Sequence, residues 1–273
     1  MVDRAAMLND ITILVPYRYD QGARLRNLYA FLKHYAPINL PILIHDYSKK
    51  STQLDFAGCD ITIESRPYND FTLTTGINEL VFHCKTKYTL YIDVDVLIKE
   101  EDLVRLFCQY ENLDCDFICG SYQPVYSLNK KQSDSLTNET ALSEIECDKI
   151  YYPSCPGGFV LSTRKTYMRA GLENESFIHW GKEDRERAYR FGILGYNVQR
   201  ANIVTYHLAH KNQTKKMQGT NNKILARMNE MLPFEVMESL LTHPQVTKYS
   251  LKPKFKSDKT QAEYELWSEY RKC

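Results

Sequence analysis

Asp93 and Asp95 interrupt an otherwise apolar run rich in β-branched and aromatic residues, YTLYIDVDVLI at 88–98. A carboxylate buried without a partner is costly, and two placed close together repel. A divalent cation reverses that repulsion by supplying the largest positive charge nearby. Oxygen ligands favour Mn²⁺ or Mg²⁺, ions suited to neutralising phosphate oxygens. Period-two alternation along a strand puts Asp93 and Asp95 on one face with Thr89, Tyr91 and Leu97. The plainer reading sets the pair just past a strand end, bonded to water or to loop amides.

Two further groups lie downstream. HWGKEDRE at 179–186 places Trp180, Gly181, Glu183 and Asp184 at a helix start. Acids in a first turn suit the helix dipole as plain capping residues. An indole beside a glycine is also a stacking platform for a sugar, and a carboxylate next to it can take a proton from a bound hydroxyl. HLAH at 207–210 then offers His207 and His210, three residues apart, as imidazole ligands for Mn²⁺. The basic stretch after it, with Lys211, Lys215 and Lys216, fits equally a solvated surface or a cover over phosphates.

The elements that must position these residues alternate. ITILV at 11–15 reads as a strand, followed by a helix on Leu25, Leu28, Phe31, Leu32 and Tyr35. Short strands follow at 41–45 and 61–63, then a helical face of Ile77, Leu80, Val81 and Cys84 leading into the acidic strand at 88–98. A helix over 103–110 and a strand at 116–121 continue the pattern, and 127–148 reads as a long polar loop. A strand at 158–162, a helix ended by Gly171, a helix from Glu183 to Leu194 with Gly195 as terminator, and a strand at 197–206 complete it. Such alternation predicts an α/β domain with a mostly parallel central sheet flanked by helices. The expected division is a catalytic domain over 1–216, with halves at 1–98 and 99–216, and a helical extension over 217–273 packed on it.

Lys and Arg total 35 against 34 Asp and Glu, a formal charge of +1, so nothing points to nucleic acid or a charged membrane surface as partner. No apolar run approaches the ~20 residues of a membrane span. The eight cysteines form no paired CxxC arrangement, and no secretion signal is visible. A cytoplasmic chain with reduced thiols is expected, the sequons at Asn138, Asn174 and Asn212 then being chance matches.

The motifs ILVPYR (13–18), IHDYS (44–48), YIDVDV (91–96), CPGGFVLS (155–162), WGKEDRE (180–186) and HLAH (207–210) occur in an order that resembles the nucleotide-sugar-dependent glycosyltransferases of the GT-A fold. Within that group the likeness is greatest to the inverting galactosyl- and N-acetylgalactosaminyltransferases, and it covers residues 10–216. The resemblance implies a UDP-linked sugar donor, a glycan or glycoconjugate acceptor and a Mn²⁺ or Mg²⁺ cofactor. By position it implies that Pro16, Tyr17 and Arg18 approach the nucleotide, that Asp46 reads the uracil, and that Asp95 is a direct metal ligand with Asp93 near metal and ribose. It implies that Gly157 and Gly158 line the donor and acceptor pocket, with Gly157 on the acceptor side. Asp184 becomes the catalytic base, Glu183 a holder of donor sugar hydroxyls, and Trp180 a platform beside the acceptor. His210 becomes a metal ligand and His207 a softer one; apart from the resemblance, the basic stretch offers Lys211, Lys215 or Lys216 as an aid at the diphosphate. The chain departs from the pattern at Tyr47 and Lys182. Three rival readings share these residues: a retaining GT-A transferase, a sugar-nucleotide pyrophosphorylase, and a non-catalytic nucleotide-sugar or glycan-binding module. PYRYDQGARLR lacks the glycine-rich phosphate cradle that the pyrophosphorylase reaction favours.

Overall fold

The computed structural model describes residues 10–18, 22–49, 59–66, 72–138, 140–147, 149–178, 181–210 and 218–270. In chain order the first half runs β1 (Ile11–Tyr17), α1 (Ala23–Tyr35), β2 (Ile42–Asp46), β3 (Ile61–Ser65), α2 (Leu73–His83), β4 (Tyr88–Ile92), β5 (Val96–Leu97), α3 (Glu100–Asn112) and β6 (Phe117–Ser121). It continues with β7 (Val125–Ser127), α4 (Lys130–Ser135), β8 (Ile150–Tyr152), β9 (Cys155–Thr163), α5 (Arg164–Arg169), α6 (Glu183–Ile193), β10 (Val198–Ala201) and β11 (Thr205–His207). The last helices are α7 (Gln218–Glu230), α8 (Pro233–Leu241), α9 (Pro244–Lys248) and α10 (Asp258–Tyr270).

Seven strands form the central sheet in the order β10-β6-β9-β4-β1-β2-β3. Every neighbouring pair is parallel except where β9 runs antiparallel to β4 and β6. The parallel strands therefore end along one edge, and Tyr17, Asp46, Ile92 and Ser121 mark it. Both faces are covered, which explains why β1 reads ITILVPY without polar alternation. Ile11, Ile13 and Val15 face α1 and α3 in one apolar layer that includes Leu28, Phe31, Leu103 and Leu106. Leu14 faces the other layer, with Ile77, Leu80, Tyr167 and Phe191, and the C-terminal helices contribute Met228, Val236, Met237 and Leu240 to it. Gly171, at φ +88, ends the turn after α5, and a Cβ there would lie 2.6 Å from Leu240 of α8. That close approach requires glycine for contact as well as for conformation.

Two features differ from the periodicity-based expectation. The strand at 88–98 is two strands in two sheets: β4 stops at Ile92, a turn at 93–95 is closed by Val96 N–H donating to the Asp93 carbonyl (2.9 Å), and β5 joins a second sheet of order β5-β11-β7-β8. The run expected as one strand at 197–206 splits the same way into β10 and β11. The stretch 127–148 is not one loop. It carries the end of β7 and α4, and α4 starts at a capping box in which the Asn129 side chain accepts from Gln132 N–H (3.0 Å) and Gln132 answers to Asn129 N–H (2.8 Å). A helix of one and a half turns set by its cap carries no apolar periodicity to read. No helix among the described residues is long and apolar enough to cross a membrane.

Candidate metal and catalytic site

The change of sheet after β4 builds the site. Asp93 N–H makes the last ladder bond of this region, to the Gly158 carbonyl (2.9 Å), and Leu208 N–H donates to the Asp95 carbonyl (2.8 Å). β5 lies antiparallel to β11, pairing Val96 with His207 and Leu97 with Tyr206. These contacts lay the acidic turn against HLAH although more than a hundred residues separate them. Asp95 Oδ2 is 3.1 Å from His210 Nε2, and Asp95 Oδ1 is 3.9 Å from His207 Nε2. One ligand atom from each of Asp95, His207 and His210 lies within 4.8 Å of the others. A carboxylate with two imidazoles suits a borderline divalent ion such as Mn²⁺.

Asp93 is adjacent but turned differently. Its carboxylate accepts a hydrogen bond from the Tyr91 hydroxyl, and it stands apart from the triad. Both carboxylates are desolvated, yet their titration separates. Burial and the charge of Asp95 push Asp93 up to about 7. Burial acts on Asp95 too, but Arg24, His207 and His210 outweigh it and hold Asp95 well below the usual carboxylate range. Burial lowers the pKa of His207, favouring the neutral, ligating imidazole. Negative charge thus concentrates on the one acid that faces both histidines.

Several residues that order this corner carry no motif. Arg24, in the first turn of α1, places Nη1 2.7 Å from Asp95 Oδ2. A cation in a first turn that contains no acid runs against the helix dipole, and that mismatch is the sequence signal that was available. Ser133 Oγ accepts Ala209 N–H (2.9 Å), while Arg26 donates to the Ala209 carbonyl and to Asp134 Oδ1 (3.1 Å). Leu128 N–H donates to the His207 carbonyl (2.9 Å). The Tyr151 ring stacks on His207, centroids 4.6 Å apart at 28°. The stretch at 125–152 therefore braces the backbone and one ring of HLAH.

The second acidic pair sits at the start of α6. Gly181 (φ 110) and Lys182 (φ 77) turn the chain, and Glu183 Oε2 accepts Gly181 N–H (2.7 Å) across that turn, while the N-cap, Lys182, makes no side-chain cap bond. Burial, then the neighbouring Asp184, push Glu183 up to about 8. Asp184 Oδ1 accepts its neighbour's amide, Arg185 N–H (2.8 Å). Asp184 Oδ2 points at Gly157 of β9, where a Cβ would lie only 2.8 Å from it. Gly158 takes φ +88, with Val96 3.4 Å from where its Cβ would be. Buried ions hold α6 down: Arg187 donates to Glu173 (3.1 Å), and Arg190 to Glu186 (2.7 Å) and to the carbonyls of Ala170 (2.8 Å) and Leu172 (2.7 Å).

The remaining sequence candidates distribute along the same edge. Pro16 and Tyr17 end β1, buried, and Arg18 follows them exposed. Asp46 ends β2 fully buried, its Oδ1 accepting Ser48 N–H (2.9 Å). Trp180 and Lys211 lie outside the described residues.

No protein-family model matches the sequence, and no curated protein matches it. Among solved structures the chain is similar to GalNAc-T7 with UDP, GalNAc and Mn²⁺, at a TM-score of 0.56 and 12% identity over 96% of this chain. It spans 58% of the length of that neighbour. It is also similar to the catalytic domain of Drosophila β1,4-galactosyltransferase 7 in complex with xylobiose, at a TM-score of 0.44 and 17% identity over 78% of this chain and 79% of that one. The first likeness, together with the strand order and the helices on both faces, establishes the fold as the GT-A α/β fold.

Proposed function

We propose that this chain is a metal-dependent glycosyltransferase that moves a sugar from a nucleoside diphosphate, UDP in the first instance, to an acceptor hydroxyl with inversion at the anomeric carbon. The observation that carries this is the convergence at one sheet edge of the Asp95–His207–His210 cluster with a carboxylate, Asp184, lodged against Gly157 of β9. GalNAc-T7, whose fold this chain shares, is described with UDP, GalNAc and Mn²⁺.

Asp95, His207 and His210 would hold the ion, and their oxygen and nitrogen donors fit Mn²⁺. When bound, such an ion offsets charge on the departing diphosphate. Asp184 Oδ2 accepts the proton of the acceptor hydroxyl, Oδ1 being engaged by an amide. The acceptor oxygen forms its bond to the anomeric carbon from the face opposite the diphosphate, and the bond from that carbon to the phosphate oxygen breaks with its electron pair leaving on the phosphate. One base suffices for a single inverting displacement. Glu183, protonated near neutrality, remains beside that base without adding charge, and faces the hydroxyls of the donor sugar. Gly157 and Gly158 leave room for the two sugars to meet. Pro16, Tyr17, Arg18 and Asp46 form the nucleotide side, Asp93 the ribose side, Trp180 the acceptor platform and Lys211 a contact to the diphosphate.

The test is a panel of nucleotide sugars incubated with the chain and Mn²⁺, reading release of the nucleotide and the anomeric coupling of the product. Turnover of one donor that stops on chelation, with the anomeric configuration inverted, is expected. Retention of configuration would remove Asp184 from its assigned role, and the absence of turnover with every donor would remove the transferase reading.

A further inference from the structure

A groove of about 720 Å³ runs between α3 and the edge strand β10. It is lined by Arg105, Gln109, Leu113, Tyr122, Arg200 and Asn202 among others, and no carboxylate among the described residues lines it. Tyr122 is 49% exposed and Leu113 44%, so two large apolar side chains stand open in a slot that is also walled by amides, two guanidinium groups, Cys108 and Val198. An open aromatic face beside amide and guanidinium donors matches a pyranose ring, which presents an apolar face and a rim of hydroxyls.

Gly120, at φ +64, packs so tightly on β9 that a Cβ there would lie 2.9 Å from Gly157 N, and Gly157 is the residue against which Asp184 rests. Tyr122 follows Gly120 by two residues, ~7 Å along an extended chain, and adjacent strands are ~5 Å apart. Asp184 does not itself line the groove, so a sugar at Asp184 and a sugar in the groove would be successive parts of one chain. Arg200 lines the groove, donates to the Ser121 carbonyl and feels the charge of Asp184, while burial lowers its pKa.

An edge strand is a template for an added peptide strand, but β10 is capped against one. The Gln109 side chain donates to the Arg200 carbonyl (2.8 Å) and accepts Asn202 N–H (2.9 Å), occupying the outward backbone groups. Gln123 fixes the Asn202 side chain (2.8 Å), and Asp102 holds Arg105 (2.9 Å).

We infer that this groove is an acceptor subsite, taking the inner sugars of an oligosaccharide whose terminal hydroxyl lies at Asp184. The inference rests on the transferase reading and assigns its acceptor to the oligosaccharides. The experiment is a printed array of mono- to hexasaccharides probed with the full chain plus UDP and Mn²⁺, with UDP affinity of the same preparation measured in parallel. Binding to glycans of three or more sugars, well above their terminal monosaccharides, is expected. Tyr122→Ala should lower it about tenfold, the upper range for one aromatic contact, and Arg105→Ala should lower it as well, both with unchanged melting temperatures. Equal binding of monosaccharide and oligosaccharide, or insensitivity to both substitutions, overturns the subsite. If UDP binds and no glycan does, the subsite falls while the donor site stands. If UDP does not bind, the transferase reading itself fails.

Discussion

Replacing Gly157 with alanine tests whether Asp184 is the base and β9 its support. A Cβ built there lies 2.8 Å from Asp184 Oδ2 and 3.2 Å from Asp184 Cβ, whereas ordinary contact begins at 3.4 Å. The carboxylate must then retreat by about 0.6 Å, away from the direction in which an acceptor hydroxyl would meet it. Misplacing a catalytic group by ~1 Å costs on the order of 10²-fold, so Gly157→Ala should slow sugar release by about 10- to 100-fold. Asp184→Asn removes the base itself and should cost ~10²- to 10⁴-fold. Because the alanine acts through Asp184, adding it to Asp184→Asn should cost less than about threefold more, which is the non-additivity of two residues in contact. The assay is Mn²⁺-dependent nucleotide release at saturating donor for the four members of the cycle, with thermal melting as the folding control. Full additivity would mean that the methyl group obstructs the acceptor and leaves the base in place. Wild-type turnover in the alanine variant would mean that Asp184 does not work from this position.

Three further outcomes follow from the geometry. Asp95→Ala removes the carboxylate of the metal cluster and should weaken Mn²⁺ binding, read by loss of the free-ion EPR signal on titration, by at least tenfold; a change under twofold would place the ion elsewhere. Tyr151→Ala removes the ring stacked on His207 and should weaken Mn²⁺ binding three- to tenfold, with Tyr151→Phe close to wild type, because the stack and not the hydroxyl holds the imidazole. Glu183 titrates at about 8 in the folded chain, above the ordinary carboxyl range. As pH rises from 5 to 8 the unfolded chain releases this proton first, so stability should fall by up to ~1.4 kcal/mol per pH unit. Asp93, Asp184 and Arg187 surround the group and remain in Glu183→Gln, which should keep the slope from Asp93, raised to about 7, and lose that from Glu183; identical pH–melting profiles would show that Glu183 ionises freely.

Much of the fold was legible because its strands are apolar on both faces and its longer helices carry apolar stripes, as in β1 and α1. Asp95, His207, His210 and Asp184 were legible as residue types in suggestive spacing. What joins them was not. The switch from β4 to β5 hides inside one apolar run, since a strand that changes sheets keeps its composition while its pairing changes. Asp93 and Asp95 part company for that reason, one bonded to Tyr91 and the other facing two histidines. α6 reads as a solvated helix, EDRERAYRFGI, yet Arg187 and Arg190 are fully buried in ion pairs, and such pairing leaves no hydrophobic period. Tyr151, Ser133 and Arg26 act on HLAH through contacts that no local pattern records.

Metal-dependent donor binding is tested by calorimetric titration of UDP into the chain with Mn²⁺ and again with EDTA, for wild type and Asp95→Ala. Wild type should bind UDP in Mn²⁺, with binding lost on chelation and lost in the variant. UDP affinity that is the same with and without the metal, or untouched by removal of Asp95, would contradict it.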